Sequence, residues 1–216
     1  MQQNQSFCYT LAIAKINVSV MSLKNTRTTT GALNWDDFRS LISKLERDGD
    51  YKYCLLIAIG VFTGLRISDL LQLKFEHFES GDVMTIQEKK TKKTRRIKIN
   101  QDLKNIVLRL KVKMGVTDSS QYMFLNKYGT KPIDKSWVNF RLKKIFTKYG
   151  IEIDGNISSH MFRKTLGNRV LKLNNYSNES IVLLMNLFNH SSVAITKKYL
   201  GIREKEIHDV YDSLRL

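Results

Sequence analysis

The side chains best suited to chemistry in this sequence are arginines and histidines that stand in or beside apolar stretches. Arg66 follows a glycine break in TGLR, with apolar residues on both sides. His160 and Arg163 lie three residues apart in HMFR, so they share one face of a helix. An arginine enclosed by apolar sequence is costly to bury without an anion, which Asp69 or a phosphate group would supply. These residues predict either internal ion pairs or an anion site.

A tyrosine near the end of the chain is a further candidate. His190 follows an apolar run in LFNHSSVAITKKYLG, and Tyr199 comes nine residues later, directly after two lysines. Taken alone, Tyr199 is better explained as a half-buried aromatic, and HMFR as a helix cap or an ion pair. A phosphate site nearby would favour a nucleophile instead, because cations stabilise both a phenolate and the phosphoryl group that it attacks.

Signatures of other reaction classes are missing from the sequence. It has no phosphate loop of the GxxxxGKS/T type, no HExxH and no GxSxG. None of the four histidines pairs with another at metal-ligand spacing, and no aspartate cluster suggests a magnesium-dependent nuclease. We therefore expect no cofactor, and any reaction on a phosphodiester would use cations and a protein nucleophile, without metal or ATP.

The charge of the chain favours a polyanionic partner. Lysine and arginine number 36 against 20 acidic residues, which gives a net charge of +16. Such an excess indicates nucleic acid, although a basic ribosome-associated protein is an alternative. A basic run without an acid, from Lys89 to Lys98, is ordinarily a solvated turn, but on this chain we expect it to contact DNA. No apolar stretch is long enough to predict a membrane span, and two distant cysteines fit a reducing cytoplasm.

The elements that must position these side chains are mostly helices. Two β-like runs, VMTIQ and RRIKIN, flank KKTKKT and predict a hairpin over 83–99. YMFLN suggests a short extended piece.

Residues 1–33 are weakly patterned and are expected to form a mobile N-terminal arm or linker, whereas 34–216 are expected to form one mainly α domain with a small β-hairpin, an α+β fold. DYKYCLLIAIGVF is apolar all round, which is expected of a central buried helix. Further helices are predicted in NWDDFRSLISKLE, ISDLLQL, the segments around 103–110 and 137–145, SSHMFRKTLGNRVLKL, ESIVLLMNLF and REKEIHDVYDSL.

Four motifs in order carry a resemblance to a known family. TGLRISDLLQLK, a basic hairpin with KKT, HMFRKT and LFNHSSVAITKKYLG resemble the catalytic domain of the tyrosine recombinases, or phage integrase family, from about residue 34 to 210. No position of the family's catalytic set is missing, which implies an active enzyme. The hairpin lysine is the one before threonine in KKT, with Lys89, Lys92 and Lys93 as alternatives. By this resemblance the catalytic residues are Arg66, Lys90, His160, Arg163, His190 and Tyr199.

The sequence departs from the family pattern at three positions. Lys164 stands where the family often has histidine, Asn189 where it usually has glycine, and Asp69 where it usually has glutamate. We expect Asn189 to keep a left-handed turn, because asparagine tolerates that conformation best after glycine. Asp69 is expected to be a structural support.

The resemblance implies a site-specific recombinase or integrase of a mobile element, which cleaves and rejoins DNA through a 3′-phosphotyrosyl intermediate. The two arginines would bind the non-bridging oxygens, His160 would act as general base, His190 would hydrogen-bond a phosphoryl oxygen, and Lys90 would protonate the leaving 5′-oxygen. The alternatives are an enzyme like the type IB topoisomerases, with the same chemistry, and a non-catalytic DNA-binding module.

The expected partner is double-stranded DNA in the cytoplasm, at the nucleoid. The family usually carries a further helical DNA-binding domain before the catalytic one, and 1–33 is too short for it. The family implies a tetramer on DNA, with a monomer expected for the free chain. A C-terminal helix over 203–216 would be exchanged between neighbours or packed on its own domain. Additional DNA contacts are expected from Lys89, Lys92, Lys93, Arg95, Lys164, Lys197 and Lys198.

Overall fold

The computed structural model describes residues 30–202 and 210–214, and this part of the chain is mainly helical with one small sheet, as predicted. Most of the expected N-terminal arm and most of the helix expected over 203–216 lie outside the described residues, although 210–213 are helical. The helices are α1 (Trp35–Arg47), α2 (Tyr51–Thr63), α3 (Ile67–Leu70), α4 (Gln101–Lys113), α5 (Lys135–Tyr149), α6 (His160–Leu173), α7 (Asn178–Phe188) and α8 (Val193–Leu200), and the strands are β1 (Val83–Gln87) and β2 (Thr94–Lys98).

The centre of the fold is α2, which is apolar on every side. Its residues Cys54 to Ile59 are all fully buried, and the helix packs against α1, α4 and α6. The approach to α6 is close because Gly60 has no side chain: a Cβ there would lie 2.5 Å from Cδ2 of Phe162. A helix that is apolar all round must be covered on all sides, so it becomes the scaffold on which the other helices assemble.

The predicted hairpin is present, with β1 antiparallel to β2. Met84 pairs with Ile97, and both side chains are buried beneath the sheet, while their neighbours along each strand are more exposed. The connecting loop, residues 88–93, is closed at its base by the Glu88 N–H donating to the Lys93 carbonyl at 3.0 Å. The apolar alternation of the two strands therefore fixes which side of the hairpin faces the core.

Two helices differ from expectation. α3 is only four residues long, and Leu71 is its C-cap. The segment before Tyr199, which we expected to connect two helices, itself contains α8. Its N-terminus is capped by the Ser192 hydroxyl, which accepts a hydrogen bond from the N–H of Ile195 at 3.3 Å, and Gly201 ends it in the left-handed conformation. Tyr199 therefore lies in the last turn of a helix.

The end of the expected N-terminal arm is packed against the body of the domain. Thr30 forms a parallel bridge with Asn156, and the N–H of Leu33 donates to the Thr165 hydroxyl at 3.0 Å. The Leu33 side chain, only 3% exposed, joins the core. An apolar side chain next to the first helix is stabilised by burial, and this ties the last residues of the arm to α6.

A smaller apolar cluster lies beside the main core. It is built from α6, α7 and α8 around Leu171, Ile181, Leu184 and Phe188, and Tyr199 packs at its edge. Within the described residues, no helix combines the length and the apolar character that crossing a membrane requires.

Candidate active site

Arg66 lies where α2 ends and α3 begins. Gly64 ends α2 in the left-handed conformation, with φ of 58°, and the extended backbone of Arg66 then starts α3. Its side chain is 21% exposed, Nη1 donates to Oε2 of Glu88 at 2.6 Å, and Nη2 donates to the Phe188 carbonyl at 3.5 Å. The carboxylate partner of Arg66 is therefore Glu88, whereas Asp69 was the acid suggested by the sequence.

Asp69 supports the hairpin loop instead. Its buried carboxyl accepts hydrogen bonds from the backbone N–H of Lys89 at 2.9 Å and from the hydroxyl of Ser68 at 3.3 Å. This contact joins the short helix α3 to the start of the loop, which is the structural support that the sequence suggested for this position.

Arg163 is the most deeply buried cation of the site. It lies in the first turn of α6 and is 4% exposed, with its guanidinium 4.7 Å from the centre of the Phe188 ring. Nη2 donates to the Phe188 carbonyl at 2.8 Å, so Arg66 and Arg163 converge on the same oxygen at the end of α7. Burial lowers the pKa of Arg163 from 12.5 to about 10. Nη1 is buried and has no hydrogen-bond partner among the described residues, which leaves a donor for an anion.

Tyr199 is half-buried beside these arginines. Its phenol donates to the backbone carbonyl of His160 at 3.2 Å, and its ring meets Phe188 and His190 edge to face, with centroids 5.8 and 5.3 Å apart. Burial raises the pKa of Tyr199, although the charges of Arg163 and Arg66 oppose that rise. The free protein therefore holds Tyr199 as the neutral phenol at physiological pH.

The two histidines flank the tyrosine. His160 is the first residue of α6 and is exposed, while His190 is half-buried and hydrogen-bonded through Nδ1 to the hydroxyl of Thr196 at 3.0 Å. Protein atoms around each ring displace part of its water, and this desolvation is the main cause that lowers the pKa of both histidines; the charge of Arg163 acts in the same direction on both. Both imidazoles are therefore mainly neutral at pH 7, the form that can accept a proton.

The turn that precedes His190 has the expected geometry. Asn189 ends α7 in the left-handed region, with φ of 53° and ψ of 48°, which confirms the prediction for this position. Its side chain adds contacts that a glycine lacks. The amide Nδ2 donates to Oε2 of Glu88 at 3.4 Å, and Oδ1 accepts from Nζ of Lys93 at 3.3 Å.

Glu88 is the residue of the site that sequence reasoning missed. It begins the hairpin loop, is 1% exposed, and accepts a hydrogen bond from the Thr91 hydroxyl at 2.7 Å in addition to those from Arg66 and Asn189. Burial acts to raise its pKa, but the Thr91 hydrogen bond and the charge of Arg66 outweigh burial, and the pKa is lowered. A lone acid at the edge of a basic run was the available signal, because such a residue readily pairs with a cation.

The lysines expected to contact DNA lie around this site. Lys164, on α6, places Nζ 5.8 Å from the centre of the Tyr199 ring. Arg95 differs from the lysines: it is 17% exposed, donates from Nη2 to the Thr63 carbonyl at 2.8 Å, and has Nη1 3.7 Å from Oε1 of Glu88. These contacts place Arg95 inside the charged cluster, below the surface on which we expected it. The exposed lysines are Lys89, Lys90, Lys92 and Lys93 on the hairpin loop and Lys198 on α8, while Lys197 is half-buried.

The structure thus brings together five of the six residues singled out for catalysis. Arg66 and Arg163 share the Phe188 carbonyl, and Tyr199 contacts both the backbone of His160 and the ring of His190. The sixth, Lys90, lies on the exposed hairpin loop that Glu88 joins to Arg66. Two cations, a phenol and two neutral imidazoles at one place can bind a phosphodiester and attack it.

The fold and the site define a tyrosine-type enzyme of DNA strand transfer. The chain belongs to the phage integrase family, whose family model matches residues 32–206. Tyrosine recombinases of this family are site-specific enzymes that transfer DNA strands, and this is the class in which the sequence motifs place the chain.

Individual relatives agree with this assignment. The chain is 32% identical over 171 residues to a probable integrase/recombinase, YoeC of Bacillus subtilis, and the match covers 79% of this chain and 86% of the relative. Among solved structures, it resembles XerA recombinase with a TM-score of 0.64 at 19% identity, over 87% of this chain and 67% of that one. It resembles XerH site-specific recombinase bound to difH substrate with a TM-score of 0.62 at 18% identity, over 85% of this chain and 53% of that one. At such low identity, the two structural likenesses establish the fold.

Proposed function

We propose that this chain recombines or integrates DNA of a mobile element by cleaving one strand with Tyr199 and forming a 3′-phosphotyrosyl intermediate. The observation that carries the proposal is the buried guanidinium of Arg163, whose Nη1 has no hydrogen-bond partner within the described residues. This guanidinium lies close enough to Tyr199 for its charge, like that of Arg66, to act on the phenol. A buried cation with an unused donor is stabilised by an anion, and a phosphodiester supplies one.

The proposed step begins with the phosphate bound by both arginines. The Tyr199 oxygen bonds to phosphorus, the bond from phosphorus to the 5′-oxygen breaks, and the phenol proton passes to the imidazole of His160. Lys90 gives a proton to the departing 5′-oxygen, and His190 donates a hydrogen bond to a phosphoryl oxygen. A 5′-hydroxyl from another strand then attacks the phosphotyrosyl linkage and reverses these steps. The linkage retains the energy of the phosphodiester bond, so the strands are rejoined without ATP or metal.

The environment of Tyr199 suits a nucleophile that is used only when DNA is present. Since burial raises its pKa, the phenol stays protonated and bonded to the His160 carbonyl in the free protein. The attack places negative charge next to two guanidiniums, and preorganised charges of this kind stabilise the transition state more than the ground state. Proton removal is therefore coupled to attack on phosphorus.

The wider assembly follows from the same proposal. We place double-stranded DNA across the surface that carries the hairpin lysines and α8, where Lys197 and Lys198 directly precede the nucleophile. Four copies would act together on two duplexes, and the free chain would be a monomer. The place of action would be the cytoplasm, at the nucleoid, because the substrate is there. Binding should weaken steeply with salt, as phosphate contacts release counterions.

A covalent-capture experiment tests the nucleophile. The full chain is incubated with a pool of nicked duplexes, randomised around the nick, and adducts that survive detergent are isolated and sequenced. We expect an adduct with the unmodified chain, none with Tyr199→Phe, and an unchanged yield with Tyr128→Phe, which alters an exposed tyrosine outside the site. An adduct that persists in Tyr199→Phe, or no adduct from any sequence in the pool, would refute the proposal.

A further inference from the structure

The buried carboxylate of Glu88 joins three separate segments of the candidate active site. Its Oε2 accepts hydrogen bonds from Arg66 at the start of α3, from Thr91 in the hairpin loop and from Asn189 in the turn before His190, at 2.6, 2.7 and 3.4 Å. These donors are far apart in sequence and meet only at this oxygen. A movement of any one segment therefore disturbs the other two.

Two buried carboxylates, those of Asp69 and Glu88, hold the loop on either side of Lys90. The residue before Lys90 is fixed through its backbone N–H, which donates to Oδ1 of Asp69 at 2.9 Å. The residue after it, Thr91, is fixed by its hydroxyl on Glu88. Lys92 then adopts a left-handed backbone with φ of 58°, which is unfavourable for a residue with a side chain and persists only where surrounding contacts impose it. The backbone position of Lys90 is thus defined although its side chain is exposed.

Charge explains why the carboxylate belongs at this place. The guanidiniums of Arg66, Arg95 and Arg163 lie close enough for their charges to act on one another, and Glu88 is paired with two of them. At reduced dielectric, like charges repel strongly, and one carboxylate relieves part of that repulsion. Because these three cations face two buried carboxylates, Glu88 and Asp69, positive charge remains for a phosphate after Glu88 is paired.

We propose that Glu88 is a positioning residue that couples the loop of Lys90 to the phosphate-binding Arg66 and to the turn before His190. The inference rests on the proposed function, in which Lys90 donates the proton to the leaving oxygen. Glu88 itself touches neither the phosphate nor the leaving group. It sets the distance between the proton donor and the cations that hold the phosphate.

The proposal predicts different effects for the two ends of this linkage. Thr91→Val removes the hydroxyl that ties the loop to Glu88 while leaving the ion pair with Arg66 intact, so it should impair proton donation alone. Glu88→Gln keeps the size of the side chain and removes its charge, so it should impair both proton donation and phosphate binding. Thr85→Val is the matched control, since Thr85 is exposed on β1 of the same hairpin.

The test compares two DNA substrates that differ in the leaving atom. One is the nicked duplex captured in the covalent-capture experiment, and the other carries sulfur in place of the 5′-bridging oxygen at the cleaved phosphate. A thiol has a pKa of about 8.5, so it leaves as the thiolate without a proton donor, whereas an alkoxide needs one. Single-turnover rates of adduct formation are measured for each variant on each substrate, with Lys90→Ala as the reference for lost proton donation.

We expect Thr91→Val to slow cleavage of the oxygen substrate by about 10-fold, part of the 10²–10⁴-fold typical of general acid catalysis, and to cleave the sulfur substrate at the wild-type rate. Glu88→Gln should be slower than wild type on both substrates, and Thr85→Val should match wild type on both. The proposal is overturned if Thr91→Val slows adduct formation equally on both substrates, or on neither. This comparison tests the proposal even if Glu88→Gln does not fold. Failure of the proposed function looks different: wild type then forms no Tyr199 adduct, or Lys90→Ala is not rescued by sulfur.

Discussion

Replacing Arg163 with methionine should separate the stability of the free protein from its capacity to cleave DNA. The guanidinium is 4% exposed and has an unpartnered Nη1 among the described residues, so its charge is held in the fold without full compensation. Methionine is unbranched and uncharged, and its flexible thioether fills irregular space. We expect Arg163→Met to melt at a higher temperature than wild type and to form no covalent adduct.

The magnitude follows from the pKa of Arg163. Burial lowers this pKa from 12.5 to about 10. One pKa unit corresponds to 1.36 kcal/mol, so keeping the guanidinium charged costs about 3 kcal/mol. Since the folded value lies below the unfolded one, the full cost applies at any pH below the folded pKa and fades as the pH rises towards 12.5.

Two interactions that methionine cannot make reduce the gain. The hydrogen bond from Nη2 to the Phe188 carbonyl contributes about 1 kcal/mol, and the stacking of the guanidinium on the Phe188 ring contributes about 1 kcal/mol. A net stabilisation of about 1 kcal/mol remains, which for a chain of this size raises Tm by about 2–4 °C.

Thermal unfolding followed by circular dichroism at pH 7.5 measures the first effect, and the covalent-capture assay measures the second. Arg169→Met is the matched control, because Arg169 lies on the same helix and stacks on Trp35, with 4.9 Å between guanidinium and ring, but is only half-buried. It should show no gain in Tm and should retain adduct formation. A fall in Tm for Arg163→Met would show that the contacts of the guanidinium outweigh its burial, and an adduct in that variant would refute its role in catalysis.

Two further predictions concern packing and pH. Gly60→Ala should destabilise the protein, because the new Cβ would lie 2.5 Å from Cδ2 and 2.8 Å from Cγ of Phe162. Overpacking costs about 1–3 kcal/mol, whereas the gain in helix propensity is about 1 kcal/mol. Urea unfolding measures the effect, and an unchanged midpoint would contradict the close approach of α2 and α6. The rate of adduct formation should stay near its maximum down to a pH of about 6.5 and fall only below it, since desolvation lowers the pKa of both His160 and His190 beneath their ordinary value. Rates measured from pH 5 to 8 that fall already above 6.5 would contradict this environment.

Local patterns in the sequence were enough for most of the secondary structure. Helical spacing predicted α1 and α4 to α7, and alternation predicted the hairpin, because both depend on which side of an element faces the core. α2 was predicted as a buried helix because its sequence is apolar all round. The left-handed turn at Asn189 was predictable for a local reason, namely the tolerance of asparagine for that conformation. By contrast, α8 was missed, since its eight residues make only about two turns, which is too short to show a helical period.

The residue types needed for attack on a phosphate, and their order along the chain, were determined by the sequence alone. The partners of those residues were decided only by tertiary structure. Arg66 pairs with Glu88 rather than Asp69, and Arg95 turns inward to the same carboxylate, because the hairpin packs where α3 begins and α7 ends. Electrostatic pairing depends on distance in space and on local burial, and neither can be read from spacing along the chain when the charges belong to segments that meet only in the folded protein.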